Sequence, residues 1–325
     1  MRRRDFVTVL GGAATWPFAT RAQQAAMPVI GYLDPRSPET LADRLRASRQ
    51  GLKQTGYIEG ENVTIEYRWA RSQYDRLPAL AADLAAHPVS VIVAIAANSA
   101  LAAKAATKTI PIVFMMGDDP VRFGLVDSLN RPGGNVTGVS FVSPALEARS
   151  IELLRELVPK ATKIAVLVNP NFAAAETRMR DARGAAAALG VQLSLINASS
   201  EQEIEGAFAT IVERGAGALL VPPDPMFSGQ RQQLVTLAAR HALPTLYFSR
   251  EFVAAGGLMS YGASILDAQR QSGIYAGEIL KGAKASNLPV LQPTKFELVI
   301  NLKTAKTLGL SVPLTLQVAA DDVIE

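Results

Sequence analysis

VSVIVAIAANSALAAKAATKTIPIVFM, residues 89–115, places a Val- and Ile-rich run before an Ala-rich stretch and then a second Val- and Ile-rich run. β-Branched residues suit a strand covered on both faces, and Ala suits the helix that covers it. The segment therefore predicts strand, helix and parallel strand at 89–94, 99–107 and 110–115. Working outward, strands at 29–33, 63–67 and 136–139, with helices at 40–55 and 74–86, complete a first series. After a helix at 144–158, whose Leu153, Leu154, Leu157 and Val158 recur at helical spacing, a second series begins. Its strands fall at 163–168, 191–196, 218–221, 244–247 and 258–261, and its helices at 173–189, 201–214 and 230–242.

Strands that alternate with helices build parallel sheets with helices on both faces, and a chain of 325 residues exceeds what one core comfortably holds. The expected fold class is α/β, with two Rossmann-like lobes around parallel central sheets. The tail, a helix at 265–281, a Pro-bounded strand at 296–301 and a further short helix, must pack back onto these lobes. If it crosses into the first lobe and returns, several hinge segments join the halves, which permits bending and forbids free rotation. The expected division is 28–140 plus 263–290 for lobe 1, and 141–262 plus 291–325 for lobe 2.

The first residues read differently. Arg2, Arg3 and Arg4 precede a modestly apolar stretch at 7–18 that is too short for a bilayer, which needs about 20 residues. Arg3-Arg4-x-Phe6 fits a twin-arginine export signal, and Thr20-Arg21-Ala22 offers small residues for cleavage, so 1–22 is expected to be a signal peptide. Its removal lowers the net charge from +4 to +1, because Arg2, Arg3, Arg4, Arg21 and Asp5 leave together. A basic stripe for nucleic acid is then lacking. With no cysteine, the chain can form no disulfide, carry no thiol nucleophile and take no lipid at a cysteine beside the cut. An exported, soluble, unlipidated protein of the periplasm is the expectation.

In open parallel sheets, ligands collect beyond the carboxyl ends of strands, where helix N-termini favour anions. Tyr32 lies near the carboxyl end of the first strand. Asn98 and Ser99 follow the third and would cap the next helix, with backbone N–H groups free for a carboxylate; a plain cap with nothing bound reads equally well. Gly117-Asp118-Asp119-Pro120 gives an acidic lip to the first lobe and Pro223-Asp224-Pro225 one to the second. Asp119 or Asp224 could meet an ammonium group, or each could simply stabilise its turn. Asn169, Phe172, Phe227 and Tyr261 complete a ring of polar and aromatic candidates, any of which could instead be packed in a core.

Catalytic patterns are missing. His87 and His241 lack metal-ligand spacing, and neither a G-x-S-x-G elbow nor a phosphate loop occurs. Two-lobed racemases acting on amino acids need a cysteine on each side of the cleft, and here there is none. No catalysis, metal or cofactor is expected.

Several stretches, in order along nearly the whole chain after the leader, resemble one bacterial family. They include Ile65-Glu66-Tyr67-Arg68-Trp69-Ala70, Ile110-Pro111-Ile112-Val113-Phe114, Arg131-Pro132-Gly133-Gly134-Asn135-Val136-Thr137-Gly138 and Gly256-Gly257-Leu258-Met259-Ser260-Tyr261-Gly262. The longest is Gln292-Pro293-Thr294-Lys295-Phe296-Glu297-Leu298-Val299-Ile300-Asn301 with Leu302-Lys303-Thr304-Ala305. The chain resembles ABC-transporter substrate-binding proteins of the tryptophan/tyrosine-type uptake group, with the type I periplasmic binding protein fold. The resemblance implies three hinge crossings, a small ligand between the lobes, and an ABC permease with its ATPase as partners. It implies an amino acid, aromatic or otherwise apolar, as the ligand class. A periplasmic sensing module that signals to a membrane receptor is the alternative.

Overall fold

The computed structural model describes residues 27–141, 146–293 and 295–325; the leader expected at 1–22 and the expected helix start at Pro144 lie outside them. Among the described residues, five strands form one parallel sheet. They are Val29–Asp34 (β1), Thr64–Trp69 (β2), Val91–Ile95 (β3), Ile112–Met116 (β4) and Val136–Ser140 (β5), in the order β2-β1-β3-β4-β5. Helices Ala42–Gln54 (α1), Leu77–Ala86 (α2) and Ala96–Ala106 (α3) cover it, and Leu146–Leu157 (α4) leads to the second sheet.

That sheet joins Lys163–Val168 (β6), Gln192–Asn197 (β7), Ala218–Val221 (β8), Thr245–Tyr247 (β9), Met259–Ala263 (β10), Phe296–Asn301 (β11) and Asp322–Ile324 (β12), in the order β12-β11-β10-β9-β8-β6-β7. Its pairings are parallel except β10 with β11, the strand that returns from the other lobe. Between these strands run Ala175–Ala188 (α5), Glu201–Glu213 (α6), Pro225–Gly229 (α7), Arg231–Arg240 (α8), Arg250–Ala254 (α9), Ile265–Leu280 (α10), Leu302–Thr307 (α11) and Leu314–Ala319 (α12).

The chain changes lobe after β5, after β10 and before β11. The first and third passages run side by side, because Leu291 N–H donates to Gly138 O at 2.9 Å and Ser140 N–H donates to Leu291 O at 2.9 Å. The second delivers α10 to the first lobe, where it packs on α1 so closely that a Cβ on Gly273 would lie 2.1 Å from Ser48 O, and one on Gly51 1.9 Å from Arg270 O. Glycine at the crossing point is thus required by backbone-to-backbone approach. This contact ties the C-terminal half of the sequence into the N-terminal core.

Three features depart from the sequence expectation. Helix α3 begins at Ala96 instead of Ser99, because Ala96 takes φ +68° and turns the strand directly into helix; Ser99 therefore sits in the first turn with its side chain fully buried, and does not cap. The five-residue helices α7 and α9 and the edge strand β12 were not foreseen. Segments this short carry too little periodicity to register in sequence, and their neighbours decide their conformation.

Candidate functional site

The carboxyl ends of both sheets face one another, and the loops beyond them enclose a cavity. Its walls come from lobe 1 through Arg36, Arg44, Ile95, Ala96, Met115 and Gly117, and from lobe 2 through Phe172, Arg178, Asp224 and Phe248. Phe141, at the first crossing, and Ile265, at the start of α10, close the hinge side. The empty space between these walls, part of it open to solvent, is about 400 Å³ and forms a narrow slot.

Asp224 is the lobe 2 anion of this slot. It caps α7: its Oδ1 accepts from Met226 N–H at 2.7 Å and Phe227 N–H at 3.1 Å, while Asn169 Nδ2 donates to Oδ2 at 3.2 Å. The Tyr74 hydroxyl reaches Oδ1 from lobe 1 at 3.4 Å. Burial pushes the Asp224 carboxyl up to about 6, against the opposing pull of the Phe227 and Met226 amides.

On the facing wall, α3 opens onto the cavity through Ala96, and no side chain caps its N-terminus. Its first-turn N–H groups are left to other acceptors, which makes the turn electropositive.

Arg178, 6% exposed, joins the lobes. Its Nε donates to Asp118 Oδ1 at 2.6 Å, Nη2 to Gly117 O at 2.7 Å, and Nη1 to Pro223 O. The guanidinium also lies 5.3 Å from the centre of the Phe172 ring, within cation–π range. Asp118 is buried as well, and its burial pushes its carboxyl up while Arg178 opposes the shift. Arg44 on α1 forks onto Glu251 on α9, with Nε 3.0 Å from Oε1 and Nη2 against Oε2. Asn98 completes the closure: its Nδ2 donates to Asn171 O at 3.1 Å and its Oδ1 accepts from Ala173 N–H at 3.0 Å. These contacts define a closed arrangement.

The residues singled out from the sequence therefore divide. Phe172 and Asp224 line the slot, Asn169 supports Asp224 from behind, and Asn98 ties the lobes beside it. Ser99 lies one turn inside α3, and its hydroxyl has no partner among the described residues. Tyr32 points under α10, where its hydroxyl donates to Gln269 Oε1 at 3.4 Å and its ring packs 5.4 Å from that of Tyr67. Asp119 folds back on its own turn, accepting from Val121 N–H at 2.9 Å, and faces a side opening of the cleft. Phe227 is wholly inside the lobe 2 core, and Tyr261 packs 6.0 Å from Phe296 in a separate hollow.

Sequence reasoning passed over Arg36, Arg44, Arg178, Phe141 and Phe248. Arg36 lies two residues after β1 and Phe248 one residue after β9, so reading every strand end would have found them. Arg44 and Arg178 sit among other arginines on α1 and α5, where nothing in the sequence separates an inward one from a solvated one. Among the described residues, no His, Asp and Glu cluster could hold a metal ion, and no helix is long and apolar enough to cross a membrane.

Known proteins resemble the chain throughout. A curated tyrosine-binding protein of Clostridioides difficile (strain R20291) is 29% identical over 262 residues, which are 80% of this chain and 75% of the relative. A Streptococcus ABC domain solved in complex with L-Trp matches with a TM-score of 0.83 and 27% identity, covering 91% of this chain and 99% of its own. A ligand-free, open substrate-binding protein of Clostridium difficile matches with a TM-score of 0.63 and 25% identity, over 92% and 99% of the two chains. The family model for ABC transporter substrate binding proteins matches residues 38–324, and the chain belongs to that family.

Proposed function

We propose that the chain is an exported periplasmic receptor that closes on an amino acid and delivers it to an ABC permease and its ATPase, without catalysis. The observation that carries this reading is the pairing, across one closed slot, of a buried carboxylate at Asp224 with the uncapped N-terminus of α3. An α-ammonium suits the first and an α-carboxylate the second. Phe141, Phe172 and Phe248 offer an apolar wall to a side chain, in keeping with relatives named for tyrosine and solved with L-Trp. Gly117 helps set that wall, since a Cβ there would lie 2.4 Å from the Phe141 ring.

Closure follows from ligand binding because only a guest that touches both lobes favours the closed state. The moving bodies in this reading are 28–140 with 263–290, and 141–262 with 291–325, released after a leader at 1–22. The test is a titration of the leaderless protein, unfolded and refolded to free it of any co-purified molecule, with each of the twenty amino acids. A rise in melting temperature with at least one of them is expected. If none raises it, while a sugar, nucleoside or peptide does, the ligand class is wrong.

A further inference from the structure

Two guanidinium groups line the same slot beside the Asp224 carboxylate and the α3 N-terminus. Arg36, just after β1, and Arg44, on α1, are 3% and 5% exposed. Each is gripped in the same way. Arg36 donates through Nε to Asp34 Oδ1 at 2.9 Å and through Nη2 to Asp34 Oδ2 at 2.6 Å. Arg44 makes the equivalent fork with Glu251. In both, Nη1 lies outside the fork and has no hydrogen-bond partner among the described residues.

The forks fix the two planar groups and partly neutralise them, which lets them stay buried. They do not satisfy them. Each Nη1 therefore keeps a donor for a guest that enters the slot. The slot wall thus presents two fixed, charged donors to an acceptor, and charge-assisted bonds are strongest to a carboxylate.

We propose that Arg36 and Arg44 form an acceptor-reading subsite, selecting ligands whose side chain ends in an oxygen acceptor, best a carboxylate. This rests on the amino-acid reading and narrows it. A purely apolar side chain would leave both Nη1 groups unpaired in the closed state, and a site with unpaired buried donors rejects such a guest strongly.

The experiment is calorimetric titration of the leaderless protein with matched pairs: 4-carboxy-L-phenylalanine against L-phenylalanine, and L-glutamate against L-norvaline. The acceptor-bearing member of a pair is expected to bind at least about tenfold more tightly. In the double variant Asp34→Asn/Arg36→Gln, which removes the arginine without stranding its carboxylate, the ratio should shrink to about threefold or less. A thermal melt checks that the variant folds; should it not, Arg44→Lys, which keeps the charge and loses the planar second donor, should also reduce the ratio. Equal binding within the pairs, preference for the apolar member, or a ratio that survives both substitutions overturns the subsite while leaving the amino-acid reading intact. If no member of any pair binds, both fail together.

Discussion

Arg178 and Arg44 both span the cleft, yet they do so in opposite ways. Arg178 places all three guanidinium nitrogens on protein oxygens, its carboxylate partner Asp118 is 4% exposed, and it faces both the central slot and the side opening. Arg44 commits two nitrogens to Glu251, whose side chain keeps 20% of its surface, and leaves the third outside the fork. A saturated pair holds the lobes shut and asks nothing of the guest; an unsaturated pair still has a donor to give. The two contacts therefore divide the labour of closure and selection.

The sharpest way to break that division is Arg178→Met. Methionine keeps an aliphatic stem against Phe172 but strands Asp118 and two carbonyl oxygens whenever the lobes close. Removing one partner of a buried pair costs roughly 3–5 kcal/mol, and the cost falls on the closed state because opening rehydrates Asp118. Affinity for L-phenylalanine should then fall about a hundredfold or more by calorimetry, with little change in the melting temperature of the free protein. If Arg44→Met weakens L-phenylalanine, which has no distal acceptor, as much as Arg178→Met does, the contrast between the two pairs is lost.

Protonation sharpens the comparison next. The Asp224 carboxyl is held up at about 6 in the closed protein, against an ordinary 3.8. The closed state thus prefers the protonated form: the contribution of this group to its stability is full below about pH 4 and is lost as pH rises through about 6. An ammonium guest needs the charged form, so affinity should rise with pH through 6 and level off above it, losing up to about tenfold per unit below. Titrations across that window check the slope, and Asp224→Asn should flatten it. A slope that persists in the variant would move the ammonium partner elsewhere.

How much of this was legible in the sequence follows from what each signal encodes. The strands at 163–168 and 218–221 were read to the residue because unbroken β-branched and aliphatic runs, bounded by turn formers, leave few alternatives. The turns after strands were legible for the same reason, which is why Asp224, Asn169, Phe172 and Asn98 converge on the cleft. Ser99 misled because an alanine, Ala96, accepted a left-handed backbone and started the helix a turn early. Phe227 and Tyr261 misled because one helix or strand carries both inward and outward faces, and residue type alone does not choose between core and cavity. The arginines were hidden more deeply: Arg178 is buried only because the other lobe brings Asp118 and Gly117 to it.

A smaller effect tests the rim of the cleft. Asn98→Ala removes two interlobe hydrogen bonds from a half-buried side chain, with neutral partners that water can reach when the lobes part. About 1 kcal/mol of closure, and so a loss of roughly threefold to tenfold in affinity, is expected from calorimetry. A loss on the scale of Arg178→Met would make Asn98 a ligand contact as well as a tie.

The smallest effect separates the two acidic lips. Asp119 accepts from the Val121 and Arg122 amides at 2.9 and 3.4 Å and turns away from the slot, so its work is local. Asp119→Ala should cost about 0.5–1 kcal/mol of stability, visible as a modest fall in melting temperature, because a short turn loses its side-chain acceptor. Affinity for an amino acid should stay within about twofold, since no described contact links Asp119 to the cavity wall. A tenfold loss would mean that the ammonium partner is the lobe 1 lip, and that Asp224 carries its raised carboxyl only as a helix cap.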